Sequence, residues 1–380
     1  MGKVFKNKNI FFFAVFMIFW LTLIIWNILT PTKAFSENEN RGLKQFPEYS
    51  WKRLVENEFA MDIDTFVNDQ FIGRDGWISL QTGLDYLTGK REVNDVFICG
   101  DRLMADLPAP NSRQTGYIEA NIQGIKDFAG KYSLPSYFML VPGASEIQKE
   151  LLPYTAQPWD QGAFIGMVNS AVAPFTEVID VLSVLAAHKD EYIFYRTDHH
   201  WTSYGAFLAY REFCGAAGLP AKYQEEFSIT AVSPDFWGTL DSKCGFRGKI
   251  QADTIEIYNT GSINKFTIFD GKENREFSSI YFDEYLSKKD KYSYIFGPLQ
   301  PAITFETGSQ SGKSLLIFKD SYAHSLAPML ARDYEKITLI DLRSLVVDLE
   351  ELVSPADYDA VLYLYSTETF SQNLVTSKLG

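Results

Sequence analysis

The residues whose types and spacing could do chemistry form two short blocks. Residues 196–202 read Arg-Thr-Asp-His-His-Trp-Thr and hold two of the chain's four histidines. Asp198 and His200 are one residue apart, so a single loop can hold an imidazole and the carboxylate that orients it. Ser321 follows an apolar run at 314–318. A serine, a base and an orienting carboxylate are the parts of a nucleophilic acyl-transfer site.

Both blocks are predicted to lie between a strand and a helix. An apolar run at 192–195 precedes the first block, and a helix is predicted from Ser203 to about Gly215. Ser321 is predicted to begin a helix over 321–331. Loops at the carboxyl ends of parallel strands share one edge of the sheet, so the blocks should meet there. Amides at the helix start would supply an oxyanion donor and a positive field.

Two simpler interpretations of these blocks stay open. Thr202 or Ser203 could cap the first helix and Asp320 or Ser321 the second, although capping requires none of the histidines. His324 could replace His200 as the base, but it would lie on the same helix as Ser321.

The pattern from residue 93 onward predicts an α/β fold. Short apolar runs alternate with helical periodicity, which is typical of a mostly parallel sheet flanked by helices. We therefore predict a catalytic domain over 93–380 with a mixed β insertion at about 228–290. The strands are predicted at 137–141, 177–181, 314–318, 336–340 and 360–365, and the helices at 117–132, 163–173, 321–331, 344–352 and 368–376.

The N-terminal region is predicted to be a membrane anchor. Lysines at 3, 6 and 8 precede an uncharged apolar run from Ile10 to Leu29, long enough for one crossing with the N-terminus in the cytoplasm and the rest of the chain outside. We assign 1–30 to a signal anchor, 31–50 to a linker and 51–92 to a helical segment packed on the main domain. A cleaved signal peptide, cut near 32–34, is the alternative.

Composition excludes several classes of function. The net charge is −13, and basic residues cluster only at the extreme N-terminus, so nucleic acid is not an expected partner. Three cysteines without a Cys-x-x-Cys pair argue against structural zinc, although one disulfide is possible. A DHH-type phosphoesterase would need more Asp and His ligands for two metals. The P-loop-like stretch 308–314 has wrong spacing and precedes a strand. We expect no metal and no cofactor.

The motifs resemble those of bacterial DHHW proteins, which are similar to the SGNH hydrolase-like proteins of alginate O-acetylation. The resemblance begins with Thr197-Asp198-His199-His200-Trp201-Thr202 and Gly205-Ala206. It extends to the segments Glu39-Asn40-Arg41 with Phe46-Pro47, Asp69-Gln70-Phe71-Ile72-Gly73-Arg74, Val141-Pro142 with Leu152-Pro153, and Phe318-Lys319-Asp320-Ser321-Tyr322.

The resemblance implies an SGNH-hydrolase-like fold with circularly permuted motif order. It implies a triad of Ser321, His200 and Asp198. Lys319 stands where a Gly-Asp-Ser block would have glycine, and Ser321 supplies the one oxyanion amide that can be assigned. The supporting or substrate-binding candidates are His199, Trp201, Tyr322 and Arg196; we expect Trp201 to pack and fix the loop.

The activity implied is that of an extracytoplasmic O-acetyltransferase acting on a cell-surface or exported polysaccharide. A membrane-bound O-acyltransferase would be the acetyl donor. A carbohydrate acetylesterase with the same triad is one alternative, and an inactive glycan-binding or assembly protein is another.

Overall fold

The computed structural model describes residues 2–36, 38–39, 41–220, 222–259 and 263–380. The chain divides into two compact units, residues 1–89 and 90–380. The first unit is mainly helical. Its elements are α1 (Gly2–Leu29), β1 (Phe35–Ser36), β2 (Arg41–Gly42), α2 (Trp51–Val55), α3 (Glu58–Gln70) and α4 (Arg74–Leu87).

Helix α1 is the one helix in the described ranges that is long and apolar enough to cross a membrane. Its 22 residues from Lys8 to Leu29 are not buried. At about 1.5 Å per residue they span the roughly 30 Å hydrocarbon core of a bilayer.

An eight-stranded sheet forms the centre of the second unit. Five neighbouring strands run parallel and three continue antiparallel at one side. In spatial order they are β10 (Asn274–Phe277), β9 (Ile263–Phe269), β11 (Ala302–Thr307), β13 (Lys336–Ile340), β12 (Ser314–Lys319), β14 (Ala360–Ser366), β5 (Ser136–Val141) and β6 (Glu177–Val178). The predicted α/β class with a mostly parallel sheet is confirmed.

Helices and two hairpins complete the second unit. The hairpins are β3 (Val96–Cys99) with β4 (Arg102–Ala105) and β7 (Ser228–Phe236) with β8 (Asp253–Asn259). The helices are α5 (Ser112–Tyr132), α6 (Ala144–Ile147), α7 (Gln161–Val172), α8 (Val181–Ala187), α9 (Ser203–Ala216), α10 (Thr239–Cys244), α11 (Ala323–Leu326), α12 (Leu349–Leu352) and α13 (Thr367–Gln372). Residues 228–290, expected to be an insertion, thus also supply β9 and β10 of the main sheet.

The central strands are buried on both faces. In β12, Leu315 and Ile317 join the core on one face, and Leu316 and Phe318 join the core on the other. Side chains alternate along a strand, so a continuous apolar run is what a sheet covered on both sides requires. Burial of this kind fixes the register of β12 and, with it, the position of Ser321.

Several local predictions were wrong. The strand predicted over 177–181 is only β6, and Val181 already begins α8. Residues 192–195 are not a sheet strand; they fold back on Trp201 through a single bridge, with the Tyr195 amide donating to the His200 carbonyl at 3.2 Å. The helix predicted over 321–331 begins at Ala323 and becomes a 3₁₀ helix at Ala327–Arg332, where Pro328 offers no amide for an α-helical bond. The helix predicted over 344–352 covers only α12.

Two of the three cysteines in this unit, Cys99 and Cys214, form no disulfide. Cys99 and Cys214 are buried free thiols, and burial raises the pKa of each to about 12. Both side chains therefore act as small apolar groups in the core.

Candidate active site

Ser321 lies just beyond the carboxyl end of β12, in a turn fastened to the neighbouring strand. The Asp320 amide donates to the Leu364 carbonyl at 3.2 Å. The Asp320 carboxylate accepts from the amide and the hydroxyl of Ser366, at 2.8 and 2.7 Å, and from the Tyr322 amide at 3.0 Å. Neither Asp320 nor Ser321 caps α11, whose N-cap is Tyr322; Asp320 instead ties the serine turn to the end of β14.

The loop that carries Asp198 and His200 is held from the side of β8. Asp253, at the start of β8, is fully buried and accepts from the amides of Arg196 and Thr197, both at 2.8 Å. It also accepts from the Thr197 hydroxyl at 2.6 Å and from the Tyr192 hydroxyl. The loop is not paired with a strand of the main sheet, and these hydrogen bonds to Asp253 hold its backbone in place instead.

Three side chains from the two loops form a continuous hydrogen-bonded relay. His200 Nε2 lies 2.7 Å from Ser321 Oγ. His200 Nδ1 lies 2.5 Å from Asp198 Oδ1, which also accepts from the His200 amide at 3.0 Å. With Nδ1 donating to the carboxylate, Nε2 is the free acceptor that a serine hydroxyl requires.

The environment of Asp198 keeps it ionised. Burial raises its pKa, but the two neighbouring histidines and the Thr239 amide more than offset this, so the net pKa lies below its ordinary value. Asp198 Oδ2 accepts from the amide and the hydroxyl of Thr239, at 2.8 and 3.0 Å. The carboxylate is thus fully hydrogen-bonded before any substrate arrives.

Two glycines allow close approaches that place the loop. A Cβ added at Gly238 would lie 2.3 Å from Asp198 Cβ, and one added at Gly205 would lie 2.4 Å from the Ile193 carbonyl oxygen. Gly238 therefore lets α10 close on Asp198, and Gly205 lets α9 pack against the loop. Thr202, not Ser203, is the N-cap of α9.

Tyr292 is a site residue that the sequence analysis missed. Its ring stacks on the His200 imidazole with centroids 4.0 Å apart and planes 12° apart. Its hydroxyl donates to the Ser321 carbonyl at 3.1 Å. Burial raises the pKa of Tyr292, so the phenol stays neutral. One side chain therefore contacts both halves of the relay.

A small cleft beside Asp198 has room for about one water molecule. Asp198, His199, Tyr322 and Glu368 line it together with the ends of β4 and β5 and residues 366 and 367. His199 Nδ1 lies 2.7 Å from the Thr239 hydroxyl, and burial followed by repulsion from His200 lowers the pKa of His199 to about 4. Burial raises the pKa of Glu368. His199 is thus neutral at pH 7 and faces the cleft with a carboxyl group nearby.

The other predicted residues support the loops without touching Ser321 Oγ. Trp201 is fully buried and its indole donates to the Tyr322 carbonyl at 3.0 Å. The Tyr322 hydroxyl donates to the His199 carbonyl. The Arg196 guanidinium lies over the Tyr192 ring, 4.4 Å from its centroid. Trp201 and Tyr322 link the two loops, whereas Arg196 is directed towards the β8 side.

His324 is occupied elsewhere and does not face Ser321 as a base. Its Nε2 accepts from Lys319 Nζ at 2.9 Å. Burial, and then the adjacent Lys319, lower its pKa well below the ordinary value. Lys319 itself is fully buried, and this burial lowers the pKa of its ammonium group. The pair lies under the serine turn, where a Gly-Asp-Ser block would have only a glycine.

Amides available to an oxyanion are few at this turn. The amides of Tyr322, Ala323 and His324 already donate to Asp320 Oδ1, the Asp320 carbonyl and the Ser321 carbonyl. The four-residue helix α11 therefore does not offer the row of free amides that we expected, and the Ser321 amide stays the candidate donor.

Asp198, His199 and His200 also group their ligand atoms within 4.8 Å, as a metal site would. Both ring nitrogens of His200 and the Nδ1 of His199 already have hydrogen-bond partners in the structure. This donor set is arranged for proton transfer along the relay and fits a metal ion poorly.

Comparison with known proteins identifies the family. The family model described as DHHW protein matches residues 93–340, and the chain belongs to the DHHW family. Asp198, His199, His200 and Trp201 lie within the matched range. A search of curated protein sequences gives no significant match.

Solved structures share the fold at low sequence identity. A DHHW family protein from Eubacterium siraeum superposes with a TM-score of 0.62 at 22% identity, covering 75% of this chain and 96% of its own. Bacillus cereus PatB1, solved with a sulfonyl adduct, superposes with a TM-score of 0.59 at 18% identity, covering 73% of this chain and 98% of its own. These likenesses show that the second unit shares its α/β fold with both proteins.

Proposed function

We propose that this protein is a Ser-His-Asp acyl-transfer enzyme, an O-acetyltransferase that acts on a cell-surface or exported polysaccharide. The observation that carries the proposal is the relay from Asp198 through His200 to Ser321 Oγ, with distances of 2.5 and 2.7 Å. Such a relay raises the nucleophilicity of a serine, which structural capping would not require.

The mechanism follows from the roles of the three side chains. His200 Nε2 takes the Ser321 proton while Oγ attacks the carbonyl carbon of an acetyl ester, and the same proton then goes to the departing donor oxygen. An acceptor hydroxyl next gives its proton to His200 and attacks the acetyl-serine. The imidazolium returns that proton to Ser321 Oγ. Asp198 stabilises the imidazolium in both halves of the reaction.

The location we propose is the outer face of the membrane. Lysines at 3, 6 and 8 lie in the N-terminal part of α1, before its apolar run, which favours a cytoplasmic N-terminus and an outward catalytic unit. A membrane-bound O-acyltransferase is the donor that suits this position, since cytoplasmic acetyl groups must first cross the bilayer. A polysaccharide is the acceptor, and no nucleic acid is involved.

The test uses the full-length chain in detergent micelles with an activated acetyl ester, with and without an oligosaccharide acceptor. We expect wild type to release and transfer acetyl groups, and Ser321→Ala and His200→Ala to lose about 10²- to 10⁴-fold. Ser170→Ala, at an exposed serine on α7, is the matched control. Acetate without acetylated sugar would instead indicate an esterase, and no turnover by wild type would indicate a binding protein.

A sulfonyl fluoride reagent gives a second readout that needs no acceptor. PatB1, which shares the fold, carries a sulfonyl adduct in its solved structure. We expect one sulfonyl group on Ser321, detected by peptide mass spectrometry, and none in His200→Ala at the same exposure time. Equal labelling of Ser321 in wild type and in His200→Ala would contradict a role of His200 in activating the serine.

A further inference from the structure

The outer face of α4 carries an apolar stripe where a water-soluble helix would be polar. Trp77, Leu80, Leu84 and Leu87 are spaced three, four and three residues apart and are 48 to 80% exposed. This spacing places them on one side of the helix. Thr82 is buried on the opposite side. The helix therefore has an inward face and a second, uncovered apolar face.

The start of α4 is hydrogen-bonded to the C-terminal end of α1. Asn27 lies two residues before the end of α1, and its side-chain oxygen accepts from the Ile72 amide at 2.8 Å. The Trp77 indole donates to the Ile72 carbonyl at 3.2 Å, next to the turn at Gly73. If α1 crosses the bilayer, these contacts place Trp77 at the depth where interfacial tryptophans occur.

An ion-pair cluster makes this junction rigid. Arg41 binds both carboxylate oxygens of Asp69 at 2.6 and 3.1 Å, and the Lys44 amide donates to the same group at 2.8 Å. Glu39 bridges Arg41 and Arg74 at 2.8 and 2.6 Å. Glu39, Arg41, Asp69 and Arg74 belong to the two N-terminal motifs that the triad does not use. They clamp the chain that leaves α1 onto the ends of α3 and α4.

We propose that α4 lies in the outer headgroup region of the same membrane that α1 crosses, with its apolar stripe against lipid. The proposal needs α1 to be a membrane span, but it does not depend on the acyl-transfer activity. An interfacial helix buries such a stripe several ångströms into the boundary between headgroups and acyl chains. The clamp then fixes the height of the first unit above the bilayer.

The test places an environment-sensitive fluorophore on either side of α4. The full-length chain is reconstituted into phosphatidylcholine–phosphatidylglycerol vesicles as Leu80→Cys, on the stripe, or as Ser79→Cys, an exposed neighbour about 100° away from Leu80 around the helix. Both are labelled with a nitrobenzoxadiazole thiol reagent. We expect a blue-shifted emission at position 80 that is quenched several-fold more than at position 79 by lipid with a nitroxide near its headgroup.

Each other result would overturn the proposal. Solvent-like emission at position 80 would mean that the stripe faces water. A blue shift without nitroxide quenching would mean that protein, such as a second copy, covers it. Equal quenching at both positions would mean that α4 is immersed and not interfacial. Circular dichroism of each labelled chain checks that the helices are retained.

Discussion

The ring of Tyr292 lies flat against the imidazole of His200 while its hydroxyl holds the Ser321 carbonyl. This single side chain can therefore set the distance between base and nucleophile. Tyr292→Phe keeps the stacking surface and removes one hydrogen bond of about 1 kcal/mol, so we expect a loss of about fivefold or less in kcat. Tyr292→Ala removes both contacts and should lose more than about tenfold.

The measurement for Tyr292 is kcat and KM with an activated acetyl ester, together with the melting temperature. A merely structural role would lower the melting temperature of both variants and leave kcat of the folded enzyme unchanged. Equal kcat in Phe and Ala variants would show that the stack does not position His200.

Gly238 tests how closely the Asp198 carboxylate must be held. A methyl group there would overlap Asp198 Cβ at 2.3 Å, so the carboxylate or α10 must move. A displacement near 1 Å in a catalytic group can cost about 100-fold in rate, and we expect a kcat loss of that order for Gly238→Ala. Gly166→Ala is the matched control, because a Cβ on this α7 glycine meets nothing within 4 Å. Similar rates in the two variants would argue against a fixed Asp198.

The lowered pKa of His199 should make the stability of the fold depend on pH. Its pKa is lowered to about 4 in the folded chain from an ordinary value of 6.5. Between these values the unfolded chain binds more protons, so the free energy of unfolding rises with pH across that window. His199→Gln should make the rise shallower without abolishing it, because His324 has a lowered pKa too.

Urea denaturation at several pH values between about 4.5 and 7 measures this slope. Ser170→Ala, which removes no titratable group, is the control and should keep the wild-type slope. A slope unchanged in His199→Gln would mean that His199 titrates as an exposed histidine does.

We expect Glu368 to favour neutral acceptor sugars over negatively charged ones. It lines the cleft with Asp198 and the neutral His199, and a carboxylate there repels an anionic sugar. We expect Glu368→Gln to raise transfer to a uronic acid oligosaccharide several-fold relative to a neutral one. Glu351→Gln, at an exposed residue of α12, should change neither rate. Parallel changes on both acceptors would assign Glu368 to the reaction itself instead of to selectivity.

Some of this architecture was readable from the sequence because short-range rules govern it. The run 314–318 is apolar at every position, and only a strand covered on both faces needs that pattern. Asp198 and His200 are close in sequence, so their pairing could be predicted from spacing alone. Ser321, 121 residues after His200, could be joined to them only by assuming a shared sheet edge.

The residues that the sequence did not predict reach the site through tertiary contacts. Tyr292 comes from a 3₁₀ segment with no periodic signal. Gly238 matters because it has no Cβ, and nothing in the sequence indicates that Asp198 lies so close to it. Glu368 follows a parallel strand by two residues, as Ser321 does, and that position is the one signal that could have found it.

The position of β14 has a consequence for how the protein is made. This strand, residues 360–366, lies between β12 and β5 and also receives the Asp320 tie through Ser366. The two halves of the sheet can therefore be joined only after residue 366 has left the ribosome, and the tie between Asp320 and Ser366 forms no earlier.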